Sequence, residues 1–151
     1  MTPTTENRPV ALYLGLALTA LVALAPLVDA AATGVIADHV RAAYPEWPAA
    51  DVRLERNAIA GWLVVTNALG IPLWLWTIRL AGKGRRRART VAAWSFAAGA
   101  CLALLNLGYG GEQYTTVVPP AFGLIGLAPA AAGLAALVAV WRKRPAPEEA
   151  R

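Results

Sequence analysis

The chain alternates long apolar runs with short charged connectors, and this alternation limits the folds open to it. Four runs contain no Asp, Glu, Lys or Arg: 10–28, 58–78, 91–109 and 117–141. Each is roughly 19 residues or longer, enough at about 1.5 Å per residue to cross a hydrocarbon core about 30 Å thick. Because unpaired backbone amides are costly in lipid, each run predicts a transmembrane helix. The predicted fold class is therefore all-α, an integral membrane antiparallel four-helix bundle.

The connectors between the runs are too short to fold alone, so the sequence predicts a single transmembrane domain over 1–151. The longest connector, 29–57, contains Pro48 and Asp51, which suit the first turn of a helix. The second helix is therefore predicted to begin near Ala49, before the apolar run. This makes the connector a short helical segment outside the cytoplasm.

Helix-breaking residues inside the runs predict local distortions. Gly70 and Pro72 predict a bend in the inner half of the second run, and Pro26 predicts a kink near the outer end of the first. Pro129 falls near the middle of the fourth run, where it leaves the carbonyl of Ile125 without its usual helical donor.

The basic residues are concentrated on one side of the predicted membrane. They lie in the connector 79–90 and directly after the last run, at Arg85, Arg86, Arg87, Arg89, Arg142, Lys143 and Arg144. The positive-inside rule then places both termini and 79–90 in the cytoplasm, and 29–57 outside. Basic residues beside a membrane attract anionic lipid headgroups, which are the predicted partner in place of nucleic acid. The abundance of Ala and of Arg over Lys is typical of a GC-rich bacterium, so the expected location is the bacterial cytoplasmic (plasma) membrane.

No Asp, Glu, His, Lys or Arg falls within any of the four runs. Ion-coupled transporters commonly carry an acid, His or Lys inside the membrane, because coupling needs a group that changes charge. In size and helix count the chain resembles the small multidrug exporters, which carry a Glu in their first span. The run 10–28 has no Glu, and this argues against proton-coupled export.

Uncharged polar residues are predicted to meet near the membrane midplane. Thr19, Thr66 and Asn67 fall at similar depth. One interpretation is that these side chains satisfy one another and the Ile125 carbonyl. The other is that they line a pocket for a small ligand.

The predicted outer face carries His39 and Glu112, the other candidate ligand-binding residues. A single His with no outer Cys argues against a metal site, and no nucleophile accompanies His39 as a general base. The alternative interpretation is a solvated helix face. No metal, cofactor or catalytic residue is predicted, and Asp29 is expected to mark the membrane interface.

Tyr44 and Trp47 lie in the proline-bounded segment 44–48 of the first connector. Two aromatic rings on an outer surface suit either anchoring in lipid headgroups or docking of a partner protein. They are the candidate interface residues.

The sequence favours a non-enzymatic membrane protein that assembles with itself or binds a membrane-protein partner. The reason is that rows of small residues four apart, such as Gly15, Thr19 and Ala23, let helices approach closely in lipid. The alternative is a small-molecule-binding protein, a transporter or membrane-embedded enzyme. Its site would lie between the midplane polar groups and His39 with Glu112.

Overall fold

The computed structural model describes residues 7–81 and 85–141, and within these ranges it is helical and contains no β-strand. The all-α prediction is confirmed for this part of the chain. The elements are α1 (Asn7–Val28), a π-helical turn (Asp29–Thr33), α2 (Val35–Ala43), α3 (Ala49–Ala68), α4 (Gly70–Ala81), α5 (Arg85–Gly108), α6 (Pro120–Ile125) and α7 (Leu127–Trp141).

Four helical stretches are long and apolar enough to cross a membrane, as the sequence predicts: Val10–Thr33, Ala49–Leu80, Arg89–Gly108 and Pro120–Val138. They are called spans 1 to 4 below. Span 2 begins at Ala49, the predicted start, directly after the extended Pro48. The helix of span 4 begins three residues later than the apolar run, at Pro120.

Spans 2 and 4 are each interrupted by one residue. Leu69 separates α3 from α4, and Gly126 separates α6 from α7, although both residues keep right-handed helical backbone angles. The first interruption lies where Gly70 and Pro72 predict a bend. The second places Pro129 at the third position of α7. A proline there costs little, because the first turn of a helix needs no intrahelical donor.

Span 1 ends in a widened turn just after Pro26, where the sequence predicts a kink. The α-helix continues through the buried Pro26 and then widens into the π-helical turn. Gly34 follows with a positive φ of 70°, a conformation that glycine adopts without steric cost. The chain thereby turns directly into α2.

The helices pack around span 1. Helix α1 contacts α3, α4 and α7, while α5 contacts α4, α6 and α7, and α2 lies against α3. We use the name cap for residues 29–57 together with the loop 109–119. The main cluster of buried apolar residues lies beneath the cap and at the adjoining ends of spans 2 and 4: Ile36, Val40, Val52, Ile59, Ala60, Leu63, Tyr114, Val118 and Phe122.

Candidate functional site

A cavity of about 130 Å³ lies among the four spans, and every span contributes to its wall. It is called the interior cavity below. Thr19 of α1 and Thr66 and Asn67 of α3 all line it, so the structure brings the three predicted midplane residues to one place. Their role as a ligand site stays a prediction.

The hydroxyl groups of the interior cavity do not satisfy one another. The three threonine hydroxyls each donate to a carbonyl four residues earlier in their own helix: Thr19 to Gly15 at 2.8 Å, Thr66 to Trp62 at 2.7 Å and Thr77 to Leu73 at 2.8 Å. The interpretation that these side chains satisfy one another is therefore wrong. Because each hydroxyl proton is already used, the oxygens remain available to the cavity as acceptors.

Two amide side chains have unused hydrogen-bonding groups. Asn67 Nδ2 donates to the carbonyl of Leu63 at 2.7 Å, and Asn106 Oδ1 accepts from Trp62 Nε1 at 2.9 Å. Neither Asn67 Oδ1 nor Asn106 Nδ2 has a hydrogen-bond partner within residues 7–81 and 85–141. The cavity wall thus offers one amide acceptor and one amide donor.

Asn106 was missed by the sequence analysis, although it is a buried polar residue within an apolar run. The hydrogen bond to Trp62 of α3, 44 residues earlier, is what brings it to the cavity. The available signal was its amide group in an otherwise apolar stretch.

Both helix interruptions border the interior cavity. Leu69 and Gly70 line it from span 2, and Gly126 and Pro129 line it from span 4. Spans 2 and 4 occupy corresponding positions in the two halves of the chain. Interrupted helices in such positions are typical of substrate sites near the midplane of membrane transporters.

Close packing of spans 1 and 2 forms one wall of the cavity. A Cβ atom on Gly15 would lie 2.2 Å from the ring of Trp74, and one on Gly70 would lie 2.9 Å from Cγ2 of Thr19. Since real Cβ atoms do not approach so closely, both glycines are required for this contact. Gly99 of α5 differs, because a Cβ there would meet no atom within 4 Å although the residue lines the cavity.

The two connectors meet in the cap through His39 and Glu112. His39 Nε2 donates to the carbonyl of Thr116 at 2.7 Å, and its ring stacks on Tyr114 with 5.4 Å between centroids. The Tyr44 hydroxyl donates to Glu112 Oε2 at 2.8 Å, and this bond raises the pKa of Tyr44. His39 and Glu112 therefore join segments that are far apart in the sequence.

Tyr44 and Trp47 form a stacked pair with ring centroids 3.9 Å apart. The edge of Tyr44 also contacts Tyr114 at 5.2 Å, and Trp47 remains 37% exposed. The Tyr114 hydroxyl is buried and has no hydrogen-bond partner in the described part of the chain, and burial raises its pKa. The predicted interface residues and the predicted outer ligand residues thus belong to one aromatic cluster.

Asp29 does not lie at an exposed interface, contrary to expectation. Its side chain is buried and accepts hydrogen bonds from the Thr33 hydroxyl, from the Val35 amide at 2.7 Å and from the Ile36 amide at 3.1 Å. These amides belong to the first turn of α2, where donors lack helical partners and a negative charge is favourable. Asp29 is a structural residue of the cap.

The predicted candidates separate into two sites. The residues that line the interior cavity do not include His39 or Glu112, as far as the structure describes the chain. Within the same ranges, no three His, Cys, Asp or Glu residues are grouped to hold a metal ion. Of the predicted lipid-headgroup residues, Arg89 is half-buried near the start of α5. The side chains of Arg85, Arg86, Arg87, Arg142, Lys143 and Arg144 lie outside the described residues.

Comparison of the chain with protein family models, with curated proteins and with solved structures finds no match in any of the three. The function of this protein is therefore inferred from the geometry of its own sites.

Proposed function

We propose that this chain is a single-domain integral protein of the bacterial plasma membrane whose four spans form an antiparallel bundle that binds a small uncharged molecule. Membrane insertion is supported by large apolar side chains exposed on every span. Examples are Leu21 at 63%, Leu69 at 60%, Trp94 at 74% and Leu124 at 60% exposed. In water such a surface would cause aggregation, whereas in a membrane these apolar side chains contact the apolar lipid chains.

The proposed orientation places both termini and the connector 79–90 in the cytoplasm and the cap outside. It is supported by the basic residues of 79–90 and of the C-terminal tail. An alkaline phosphatase fusion at Gly111 is expected to be active and one at Gly84 inactive. The reverse pattern would overturn the orientation.

The observation that carries the binding proposal is the pair of unused amide groups at the wall of the interior cavity. In the described part of the chain these two atoms have no protein partner and are not among the fully buried unpaired atoms, so both are accessible for hydrogen bonding. A ligand that donates to Asn67 Oδ1 or accepts from Asn106 Nδ2 gains a hydrogen bond there, worth about 0.5–1.5 kcal/mol. Because no ionisable side chain among the described residues lines the cavity, the bound part of the ligand is proposed to be uncharged.

The proposal is for binding without chemical conversion. The polar side chains at the cavity wall are hydroxyls, amides and the indole of Trp74, and none is a general base or an activated nucleophile. An enzymatic role is therefore less favoured than binding alone. Transport of an uncharged molecule remains compatible with this site.

Native mass spectrometry of the chain released from nanodiscs tests the binding proposal. One small molecule per chain is expected to remain bound in the wild type. Gly99→Leu, which directs a side chain into space at the cavity wall, is expected to lose it. Gly61→Leu is the matched control, since Gly61 has equally open surroundings and does not line the cavity. An empty wild type, or equal retention by both variants, would contradict the proposal.

A second function, binding of a protein partner, is favoured by the stacked pair of Tyr44 and Trp47. The exposed Glu46 lies between them in sequence and the exposed Glu112 is bonded to Tyr44. An aromatic face beside carboxylates suits a positive charge, so the proposed partner is the outer segment of a membrane protein that presents Arg or Lys.

A photocrosslinking amino acid at position 47, introduced in the native host, tests this second function. Crosslinks are expected to one basic segment of another membrane protein, and Glu46→Gln is expected to weaken them. Asp38→Asn is the control, because Asp38 already pairs with Arg41. Crosslinks to a second copy of the chain would instead indicate a homo-oligomer.

A further inference from the structure

We infer that the interior cavity binds the chain of a single-chain amphiphile with an uncharged head group, and that this molecule enters sideways from the outer leaflet between spans 2 and 3. The inference rests on the proposed membrane insertion and on the proposed binding function. It adds the chemical class of the ligand and its route.

The shape of the interior cavity favours an extended ligand. Its α5 wall runs from Ala92 to Asn106, which is a helical rise of about 21 Å. The volume of the cavity is about 130 Å³, so a ligand that follows this wall must be narrow. A compact ligand of the same volume would leave most of the wall without contacts, whereas an extended chain follows it.

The wall chemistry favours a chain with one hydrogen-bonding end. Most lining residues are apolar, among them Leu12, Leu73, Phe96 and Leu102. The amide of Asn106 lies toward the outer end of the cavity, since α5 ends two residues later at Gly108. A hydroxyl or an uncharged carbonyl group placed there gains the unused Nδ2 donor, while the chain extends inward along α5.

The route follows from how the helices pack. In the described part of the chain, α5 lies against α4, α6 and α7, while α3 lies against α1, α2 and α4. The outer halves of spans 2 and 3 are therefore not among the closely packed pairs of helices, although Trp62 and Asn106 join them. Leu69 and Gly99 line the cavity and are both exposed, which places the proposed opening toward lipid at this position.

One hydrogen bond bridges this opening. Trp62 Nε1 of α3 donates to Asn106 Oδ1 of α5 at 2.9 Å, and the Trp62 ring is half exposed toward the surrounding lipid. Breaking the bond frees both side chains and widens the opening at its outer end. The pair of Trp62 and Asn106 thus acts as a latch between spans 2 and 3.

Photolabelling in lipid nanodiscs tests the ligand class. The probe is a long-chain alcohol with a diazirine in its chain. The competitors are oleyl alcohol and oleyl sulfate, which share one hydrocarbon chain and carry an uncharged hydroxyl and an anionic sulfate ester, respectively. Labelling is expected on cavity residues between Ala92 and Asn106. Oleyl alcohol is expected to compete at least about tenfold better than oleyl sulfate, because the described residues of the wall include no positive charge to pair with the sulfate.

Matched variants separate cavity labelling from labelling by bulk lipid. Gly99→Leu is expected to reduce labelling of 92–106 by about tenfold or more, and Gly61→Leu to leave it unchanged. Labelling spread evenly over lipid-facing residues such as Leu21 and Leu24, or equal competition by the sulfate, would overturn the inference. If native mass spectrometry shows a bound molecule that is not such an amphiphile, this inference fails while the proposed binding function stands.

The latch has its own test. Trp62→Phe keeps an aromatic ring but removes the indole donor, so the rate of probe entry measured by time-resolved labelling is expected to rise. Trp94→Phe is the control, since Trp94 is highly exposed on α5 and does not line the cavity. An unchanged or slower rate in Trp62→Phe would exclude the pair as a latch.

Discussion

The cap and the interior cavity are stabilised in opposite ways. In the cap, hydrogen bonds join residues far apart in sequence, as between His39 and Thr116 or Tyr44 and Glu112. Around the cavity, most polar side chains bond to a carbonyl of their own helix, and Trp62 with Asn106 is the exception within the described residues. Long-range hydrogen bonds therefore join the parts of the cap, whereas the few polar side chains of the mostly apolar cavity wall bond mainly within their own helices.

The physical reason for this difference is the solvent that each region meets. In water the hydrophobic effect drives Ile36 and Val40 into a dense core. In lipid no such force exists between helices, and close approach depends on small residues such as Gly15 and Gly70. Many residues that line the interior cavity are also Gly or Ala, and where no neighbouring helix fills the space beside them the cavity remains.

Removing core volume should affect the two regions unequally, and this is the largest expected effect. Ile36→Ala in the fully buried cap core is expected to cost about 2–5 kcal/mol in free energy of unfolding. Leu102→Ala at the cavity wall is expected to cost about 1 kcal/mol or less, since this side chain already borders empty space. Thermal unfolding in detergent followed by circular dichroism measures both. Equal losses would remove the distinction between the regions.

Removing the buried carboxylate of the cap gives the next largest effect. Asp29→Ala leaves the amides of Val35 and Ile36 without their acceptor, and about 2 kcal/mol of stability is expected to be lost. Asp38→Ala, which removes an exposed ion pair with Arg41, is expected to leave stability unchanged. The same unfolding measurement applies, and a similar loss in both variants would contradict the structural role of Asp29.

The long-range bonds of the cap predict a smaller and more local effect. His39→Phe preserves stacking on Tyr114 but leaves the Thr116 carbonyl without its donor, at a cost of about 1 kcal/mol. Hydrogen exchange followed by mass spectrometry is expected to show faster exchange in the loop 109–119 and unchanged exchange in α4 and α7. Faster exchange throughout the chain would mean that the cap and the spans unfold as one unit.

The smallest effect is expected at the buried hydroxyl of Tyr114. Tyr114→Phe removes a hydroxyl without a partner in the described residues, so stability is expected to be equal or higher by up to about 1 kcal/mol. Because burial raises the pKa of Tyr114, the neutral phenol is the stable form in the fold. The stability that depends on a neutral phenol is complete below the ordinary tyrosine pKa of about 10. It is lost as the pH rises through the higher pKa of the folded state.

Absorbance at the tyrosinate band measures this titration. The difference between the folded wild type and Tyr114→Phe is expected to appear only above the ordinary tyrosine range, and to move into that range when both are unfolded. A difference that already appears near pH 10 in the folded protein would contradict burial of the hydroxyl.

The spans were predictable because their signals are local. Runs without charge identified four candidate helices, and Pro48 with Asp51 identified the start of α3 at Ala49. Gly70 and Pro72 likewise identified the interruption of span 2. Each of these signals acts through the backbone of neighbouring residues, so no knowledge of tertiary structure was needed.

The sites were less predictable because they depend on how helices rotate against one another. Depth alone brought Thr19, Thr66 and Asn67 together, but it could not reveal that their hydroxyl and amide groups bond within their own helices. For the same reason Asn106 was missed and Asp29 was expected at the membrane interface. The surroundings of Asn106 depend on Trp62 of another helix, and those of Asp29 depend on the backbone of α2.

The π-helical turn also has a consequence for the order in which the protein is made. All the described partners of the Asp29 carboxylate lie within seven residues of it, so they emerge from the ribosome together with the end of span 1. The carboxylate can therefore be satisfied before span 2 exists. His39 and Tyr44 must wait for residues beyond 110, which follow span 3. During biosynthesis the cap thus forms in two stages. The start of α2 is fixed early by Asp29, and the bonds of His39 and Tyr44 to the loop 109–119 form only after three spans are inserted.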